Sequence, residues 1–340
     1  MTLPPLSERV DAPAELQPAP VPGVRWRPAT EGDLDDVVAL YARLAVADHP
    51  DWTETRDETD QEFHHSWTDL ERDTLLAEAD DDGSVVAFGQ VIAPPAPESI
   101  VRSVLVGGVD PAYRGRGIGR SLLGWQEGRG RQQLAASGLA MPGWILAYSQ
   151  ERNAGAGRLF ERAGFATERY FSQLERDLAE PIPELALPEP LTMVNLTPEL
   201  FEAARTAKND AFRDHWGSQP TSEEGWDGMM TLPSCRLDLS FLALHGDEVV
   251  GLVIVDVNEA DWELQGFRGS YISLVGVTAP WRRQGVAPSL LSASLLASRD
   301  DGLERAVLDV DSDSPTGALG LYTGMGFRAV SATRAHVKSF

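Results

Sequence analysis

The residues best suited to chemistry by type and spacing lie in one short stretch, residues 113–123, which reads YRGRGIGRSLL. It holds three glycines and three arginines, and an apolar helical pattern starts directly after them. The N-terminus of a helix has unpaired amide groups and a partial positive charge, so it can bind an anion. Mobile guanidinium groups at Arg114 and Arg116 suit phosphate oxygens. The stretch therefore predicts an anion site at a strand-to-helix turn.

Two other interpretations fit the glycines alone. The dinucleotide fingerprint of nicotinamide oxidoreductases requires the spacing G-x-G-x-x-G. Here Gly115, Gly117 and Gly119 have the spacing G-x-G-x-G, and the next residue is Arg120. The third glycine of the fingerprint is therefore missing, which disfavours that interpretation. A flexible surface turn is the simpler alternative, because short glycine motifs often occur by chance.

An internal repeat favours the anion site. Residues 281–291, WRRQGVAPSLL, match residues 113–123 at an offset of 168 residues, and the strands before the two turns end alike at Val109 and Val277. Residues 158–165 and 320–327 match at an offset of 162, and Asp48-His49 matches Asp214-His215 at an offset of 166. Repeated anchors in the same order indicate a duplicated domain.

Composition and periodicity divide the chain into four parts. We expect a disordered, proline-rich lead over residues 1–22, a first domain over 23–178, a proline-rich linker over 179–190 and a second domain over 191–340. The second domain reads as a strand, two helices, three strands, a helix after the glycine turn, a strand, a helix and two strands. The predicted fold class is α+β: two tandem domains, each with a mixed, mostly antiparallel central sheet flanked by helices.

Charge and composition exclude several classes of protein. The 340 residues carry a formal net charge of −23, which argues against a nucleic-acid partner. The single cysteine, Cys235, excludes an intrachain disulfide and any multi-cysteine metal site. The N-terminus does not resemble a signal peptide, and no apolar run is long enough to span a membrane. We expect a cytoplasmic monomer or homodimer with neither a nucleic-acid nor a membrane partner.

At both turns the pattern R-x-x-G-x-G/A resembles the acetyl-CoA motif of the GCN5-related N-acetyltransferases, the GNAT superfamily. The first copy spans Arg114–Gly119 and the second spans Arg282–Ala287. A later pattern, N-x-x-A-x-x-L-[YF]-x-x-x-G-F, resembles the second signature of that family. It spans Asn153–Phe165 in the first unit and begins with proline instead of asparagine, Pro315–Phe327, in the second. The resemblance covers nearly all of both units.

The resemblance implies acetyl-CoA as the cosubstrate, and we expect no metal. The turn residues would hold the pyrophosphate, and strand backbone before each turn would pair with the pantetheine arm as an added strand does. The cofactor-binding residues implied in this way are Val275, Val277, Arg282, Arg283, Gln284, Gly285 and Ala287 in the second unit, and Gly107, Val109, Arg114, Gly115, Arg116, Gly117, Gly119, Arg120 and Asn153 in the first.

The resemblance also implies direct attack of an amine on the thioester, with a tyrosine that protonates the departing thiolate. Tyr322 has a phenol for this role, whereas its counterpart Phe160 has none. We therefore predict an N-acetyltransferase that acts on the primary amine of a small, possibly cationic molecule, with its chemistry mainly in the C-terminal domain.

The sequence indicates the residues that would bind the acceptor amine less specifically than those that would bind the cosubstrate. Asp256, Asp309 and Asp311 stand at strand ends and are candidate general bases. His215 and Trp216 follow the first helix of the second unit, in the region that shapes the acceptor pocket in this family. Asp256 and Tyr271 are the other candidate substrate-binding residues.

Two alternatives remain open. The tandem layout resembles mycothiol synthases, which place a glutamate base six residues before the valine matching Val277, where this chain has Tyr271. The other alternative is a non-catalytic acyl-CoA sensor, in which both units bind acyl-CoA and neither transfers the acyl group.

Overall fold

A computed structural model describes residues 3–49, 51–313 and 317–340. The chain forms two compact units. Unit 1 comprises residues 1–169 together with residues 333–340, and unit 2 comprises residues 170–332. The helices and strands in chain order are α1 (Leu6–Arg9), β1 (Val24–Arg27), α2 (Leu34–Asp48), α3 (Arg56–His64), α4 (Leu70–Asp73), β2 (Thr74–Ala79), β3 (Val85–Ile92), β4 (Val101–Val109), α5 (Ile118–Ser137), β5 (Gly143–Gln150), α6 (Ala154–Arg162), β6 (Ala166–Asp177), β7 (Thr192–Asn195), α7 (Phe201–Ala211), α8 (Glu223–Thr231), β8 (Phe241–His245), β9 (Glu248–Asp256), α9 (Ala260–Gln265), β10 (Gly269–Val277), α10 (Val286–Asp300), β11 (Arg305–Asp311), α11 (Ala318–Gly324) and β12 (Arg328–Ser339).

Unit 1 is built on a sheet in the order β1-β2-β3-β4-β5, completed by residues 333–339 of β12. Neighbouring strands are antiparallel except β4 and β5, which run parallel. One core lies between the sheet and α5, and it includes Ile118 and Leu122. A second core, with Leu40 and Phe63, packs α2 and α3 against the sheet.

Unit 2 repeats this plan. Its sheet has the order β7-β8-β9-β10-β11, completed by residues 171–177 of β6, and only β10 and β11 are parallel. The core beneath α10 and α11 contains Leu290, Leu308 and Tyr322. The core on the other face packs α7 and α8, with Ala204 and Trp226, against the sheet. The predicted α+β class and the mostly antiparallel, mixed sheets are confirmed.

The glycine turns fix where the two central helices begin. Gly117 caps α5 with φ 94°, and Gly285 caps α10 with φ 89°. A residue with a Cβ is disfavoured in this left-handed conformation, so the backbone requires glycine there. Both helices follow a strand, as the sequence predicts, and each of these strands is paired in parallel with the next strand along the chain.

The lead over residues 1–22 was expected to be disordered, and that expectation is wrong for the described residues. Leu6 is fully buried in the core beneath α5, and its amide donates to the Leu139 carbonyl at 2.9 Å. Farther along, Ser121 of α5 donates to the Ala19 carbonyl at 2.6 Å. Proline-rich composition indicates extended backbone, but it does not report whether neighbouring apolar side chains are buried by the rest of the fold.

The expected linker, residues 179–190, belongs to unit 2. Ser289 of α10 donates to the Ala186 carbonyl at 2.8 Å, Ser292 of the same helix donates to the Pro183 carbonyl at 2.5 Å, and Ile182 is buried in the core. Each unit therefore has a proline-rich segment lying along its central helix, one before β1 and the other before β7.

The domain boundaries also differ from the expected 178 and 191. Residues 170–177 pair with β11 in unit 2, and the last residues of the chain pair with β5 in unit 1. A pattern of hydrophobic residues predicts a strand without stating which sheet edge it joins. Two smaller differences are helix α9, which was not predicted, and β12, which is one strand instead of two. Within the described residues, no helix is both long and apolar enough to cross a membrane.

Candidate functional site

The parallel strands of unit 2 separate in the middle of the sheet. Pairing between β10 and β11 joins Gly269–Tyr271 to Arg305–Val307, after which β10 continues to Val277 and β11 to Asp311. A register shift between Ile272 and Leu274 bends β10 where the two strands part. The segment with Val275 and Val277 therefore has a backbone edge that β11 does not cover, and an extended ligand can pair with such an edge.

Unit 1 has the same opening. Here β4 and β5 pair from Val101–Leu105 to Gly143–Ala147, and β4 then continues to Val109. Gly107 lies in the diverging segment with φ 114°, and a Cβ there would lie 2.1 Å from the Phe88 carbonyl oxygen. Glycine is required at this position by both conformation and space.

The turn of unit 2 has the features of an anion site. A Cβ at Gly285 would have no atom within 4 Å, so the space before α10 is open. Arg283 holds φ 61°, a left-handed conformation that is costly for a residue with a side chain. Its guanidinium makes no hydrogen bond or ion pair within the part of the chain that the structure describes. Gln284 donates to the Pro280 carbonyl at 2.8 Å, and Ala287 lies in the first turn of α10.

The first arginine of each turn is hydrogen-bonded to protein groups, so Arg114 is not the mobile cation that the sequence suggested, and Arg282 is held in the same way. Arg282 donates to the Val277 carbonyl at 3.1 Å, to the Ala211 carbonyl at 2.9 Å and to Asp214 at 3.4 Å. Arg114 donates to the Val109 carbonyl at 3.0 Å and forms a two-pronged pair with Asp48 at 2.8 and 2.6 Å. Each arginine fixes the turn to the strand before it and to the first long helix of its unit.

The remaining turn residues of unit 1 are arranged around the start of α5. Gly115 has φ 77°, and the guanidinium of Arg116 lies 4.7 Å from the centre of the Tyr113 ring. Arg120 is exposed on the first turn of α5, and Gly119 lies against Val109. Asn153 caps α6 by accepting from the Ala156 amide at 3.0 Å, a contact that accounts for this residue without a cofactor.

Tyr322 lies on the α10 side of the sheet in unit 2. Its side chain is buried with 8% exposed, and its ring meets Phe327 edge to face at 5.9 Å between centres. Burial raises the pKa of the Tyr322 phenol to about 12, so the group keeps its proton near neutral pH. The phenol can therefore act as a donor.

Phe160 takes the corresponding place in unit 1 and stacks on His336 of β12 at 4.7 Å. His336 is fully buried, its Nε2 lies 2.8 Å from the Ser149 hydroxyl, and its Nδ1 lies 3.4 Å from Thr167 Oγ1. Burial lowers the pKa of His336, with a smaller contribution from Arg334. The members of this polar group lie far apart in the chain, so no sequence motif indicates it.

Across the sheet from Tyr322, several of the predicted acceptor residues come together. Tyr271 is the cross-strand neighbour of Asp256, and its hydroxyl donates to Asp309 Oδ2 at 3.0 Å. Desolvation and the neighbouring Asp309 carboxylate raise the pKa of Tyr271 well above its usual range. No sequence pattern indicates that Tyr271 and Asp309 are hydrogen-bonded.

His215 and Trp216 lie on the same side of unit 2. Desolvation lowers the pKa of His215, the positive charge of Arg282 lowers it further, and Asp311 and Asp214 oppose the shift. The Trp216 ring lies 6.3 Å from the ring of Phe171, which pairs with Asp311 in the sheet. Among the described residues, no group of three or more His, Cys, Asp and Glu side chains could hold a metal ion.

Comparison with known proteins agrees with this geometry. Residues 201–327 match the acetyltransferase (GNAT) family, and residues 71–167 match the acetyltransferase (GNAT) domain. A mycothiol acetyltransferase of Salinispora tropica is 30% identical over 66% of this chain and 69% of its own length. The chain belongs to the GNAT acetyltransferase family. A mycothiol acetyltransferase of Streptomyces bingchenggensis is 28% identical over 74% of this chain and 77% of its own length.

A solved structure supports the assignment. The GCN5-related N-acetyltransferase from Sphaerobacter thermophilus has a TM-score of 0.69 and 25% identity, covering 94% of this chain and 96% of its own. The chain is therefore an N-acetyltransferase with two GNAT domains, and acetyltransferases of this family use acetyl-CoA.

Proposed function

We propose that this GNAT protein transfers the acetyl group of acetyl-CoA to the primary amine of a small molecule, and that unit 2 performs the reaction. The observation that carries the proposal is the opening between β10 and β11, which has the Gly285 turn at one end and Tyr322 beside it. Unit 1 has the same opening but has Phe160 at the place of the phenol.

The backbone of Val275 and Val277 would hydrogen-bond the pantetheine arm as a partial extra strand. The first amides of α10 and the guanidinium of Arg283 would hold the pyrophosphate, because the helix N-terminus and the cation both stabilise negative charge. Arg282 would keep the turn in place through its contacts with strand and helix.

In the reaction the amine nitrogen attacks the thioester carbonyl carbon, the carbon–nitrogen bond forms and the carbon–sulfur bond breaks. Burial keeps Tyr322 protonated, so its phenol would stabilise the leaving sulfur by donating a hydrogen bond. The proton found on free CoA would come from the attacking nitrogen.

Tyr322→Phe tests the assignment because it gives unit 2 the side chain that unit 1 has. With acetyl-CoA and a panel of amines, we expect the release of free thiol to fall more than tenfold, in line with the loss of one hydrogen bond to a charged sulfur. The matched variant Phe160→Tyr in unit 1 should leave the parent rate unchanged. Titration calorimetry with acetyl-CoA would report whether one unit or both bind. A parent protein that binds acetyl-CoA but releases no thiol with any amine would support the sensor alternative.

A mycothiol acetyltransferase-like activity is the second candidate, and it is favoured by relatives of that name at 28% and 30% identity. The deacetylated precursor of mycothiol should then be the preferred member of the amine panel. Equal rates with unrelated alkylamines would contradict this specificity.

A further inference from the structure

The hydrogen bond from Tyr271 to Asp309 lies at the point where the central strands of unit 2 part. Tyr271 is in the last paired position of β10, opposite Val307, and Asp309 follows two residues later on β11. The donor–acceptor distance is 3.0 Å. Tyr271 is 39% exposed as a residue, whereas desolvation raises the pKa of its phenol, a combination consistent with a hydroxyl that lies inside a cleft instead of in bulk solvent.

This pair lies on the face of the sheet opposite Tyr322. Ile272 and Leu308, the chain neighbours of Tyr271 and Asp309, point into the core beneath α10, where Tyr322 is buried. Because side chains alternate along a strand, Tyr271 and Asp309 point the other way, toward the side of α7 and α8. A thioester in the opening would therefore have Tyr322 on one side and the Tyr271 hydroxyl on the other.

The charges around the pair are mostly acidic. Tyr271 interacts electrostatically with Asp309, Asp256 and Tyr322, and His215 of the loop after α7 interacts with Asp311 and Arg282. Three carboxylates on β9 and β11, the strands on either side of β10, favour a cation over an anion. A protonated amine suits this environment, whereas an acceptor that carries a carboxylate near its amine does not.

We propose that Asp309 accepts the proton of the acceptor ammonium and that the Tyr271 hydroxyl conveys it, an assignment that rests on the function proposed above. The phenol oxygen takes a proton from the ammonium while its own proton passes to Asp309 Oδ2. The nitrogen is left with a lone pair, Tyr271 is again a neutral phenol, and Asp309 becomes a neutral acid. This transfer is uphill for an ordinary ammonium and carboxylate, so the neutral amine is a minor species that is consumed as it attacks the thioester.

Asp309 is better placed for this than the other candidates. Its carboxylate receives the Tyr271 hydroxyl directly, whereas Asp256 is the backbone neighbour of Tyr271 across the strand pair. His215 is the competing neutral base on the same side, so it belongs in the test.

The test compares Asp309→Asn with the parent by measuring thiol release at several pH values and with two kinds of amine. With an alkylamine at pH 7, we expect kcat/KM to fall about 100-fold, the range of general-base effects. The loss should shrink as the pH rises through the pKa of the amine, because the neutral amine needs no base. With hydroxylamine, which is already neutral at pH 7, the variant and the parent should differ little. A structural role for Asp309 would lower both rates alike.

Tyr271→Phe should reproduce the pattern, since it interrupts the same proton path without changing charge. Asp247→Asn, in the exposed turn between β8 and β9, is the matched control and should change nothing. Acetyl-CoA affinity measured by calorimetry should be unchanged in all three variants, which verifies folding.

The inference is overturned if Asp309→Asn lowers kcat/KM equally with both amines, or does not lower it at all. It is also overturned if the loss of activity shrinks at high pH in His215→Ala but not in Asp309→Asn. A parent protein inactive with every amine would instead remove the proposed function, and this inference with it.

Discussion

Arg282 Nη1 lies 3.4 Å from Asp214 Oδ2, and the corresponding residues of unit 1, Arg114 and Asp48, form a shorter two-pronged pair. The aspartate of the repeated Asp-His pair and the first arginine of the repeated glycine turn are thus hydrogen-bonded to each other in both units. Exposed ion pairs contribute little stability, about 1 kcal/mol or less, so the contact is better explained as fixing the position of the glycine turn. The guanidinium available to an anion in unit 2 is then that of Arg283.

Arg283→Gly should separate the stability of the turn from its binding role. Glycine removes the strain of the left-handed backbone but also gains freedom in the unfolded chain, so the free energy of unfolding should rise by no more than about 1 kcal/mol. Acetyl-CoA affinity should fall about tenfold, because one charge-assisted hydrogen bond is lost. Denaturant unfolding and calorimetry measure the two effects.

Arg283→Ala is the matched comparison, since it removes the guanidinium and keeps the strained conformation. It should lose the same affinity as the glycine variant and be less stable than that variant by about 1 kcal/mol. Unchanged affinity in both variants would show that Arg283 does not contact the bound nucleotide.

The sequence was sufficient to predict the duplication, the α+β class and the two glycine turns, because these depend on local patterns. Hydrophobic periodicity marks a strand, and a glycine after it marks a turn whose backbone no other residue adopts easily. The identity of Gly285 as the cap of α10 follows directly from this reasoning.

What could not be predicted depends on contacts between distant residues. The burial of Leu6, the pairing of residues 333–339 with β5 and the Tyr271–Asp309 hydrogen bond join positions that are far apart or lie on separate strands. Strand register and edge choice decide each of them, and neither is encoded in local composition. The same limit explains why His336 was not recognised as a neighbour of Phe160.

Gly107→Ala should destabilise unit 1 strongly. The new Cβ would lie 2.1 Å from a backbone oxygen that cannot move away, and the residue would keep φ 114°. Overpacking and backbone strain together should cost about 3 kcal/mol. Gly119→Ala is the matched control, because its Cβ would make ordinary contact with Leu159 at 3.5 Å and alanine favours the helix. Hydrogen exchange of β3 and β4 amides should distinguish the two, and equal protection in both variants would contradict the argument.

The stability of unit 1 should depend on pH through His336. Burial lowers the pKa of this imidazole in the folded state below the ordinary 6.5, so the unfolded chain binds the proton more tightly. The stabilisation from the neutral ring is therefore complete above about pH 6.5 and is lost as the pH falls toward the folded pKa, by at most about 1.4 kcal/mol per pH unit. His336→Gln keeps a hydrogen-bonding side chain that does not titrate.

Hydrogen exchange of the β5 amides at pH 7.5 and 5.5, corrected for intrinsic rates, measures the effect locally. The parent should lose more protection than the glutamine variant, because His49 and the carboxylates of unit 1 titrate alike in both proteins. A parent and a variant that lose the same protection between these two pH values would show that the Ser149–His336 contact tolerates a charged ring, and that burial of this histidine has no bearing on the acid stability of the unit.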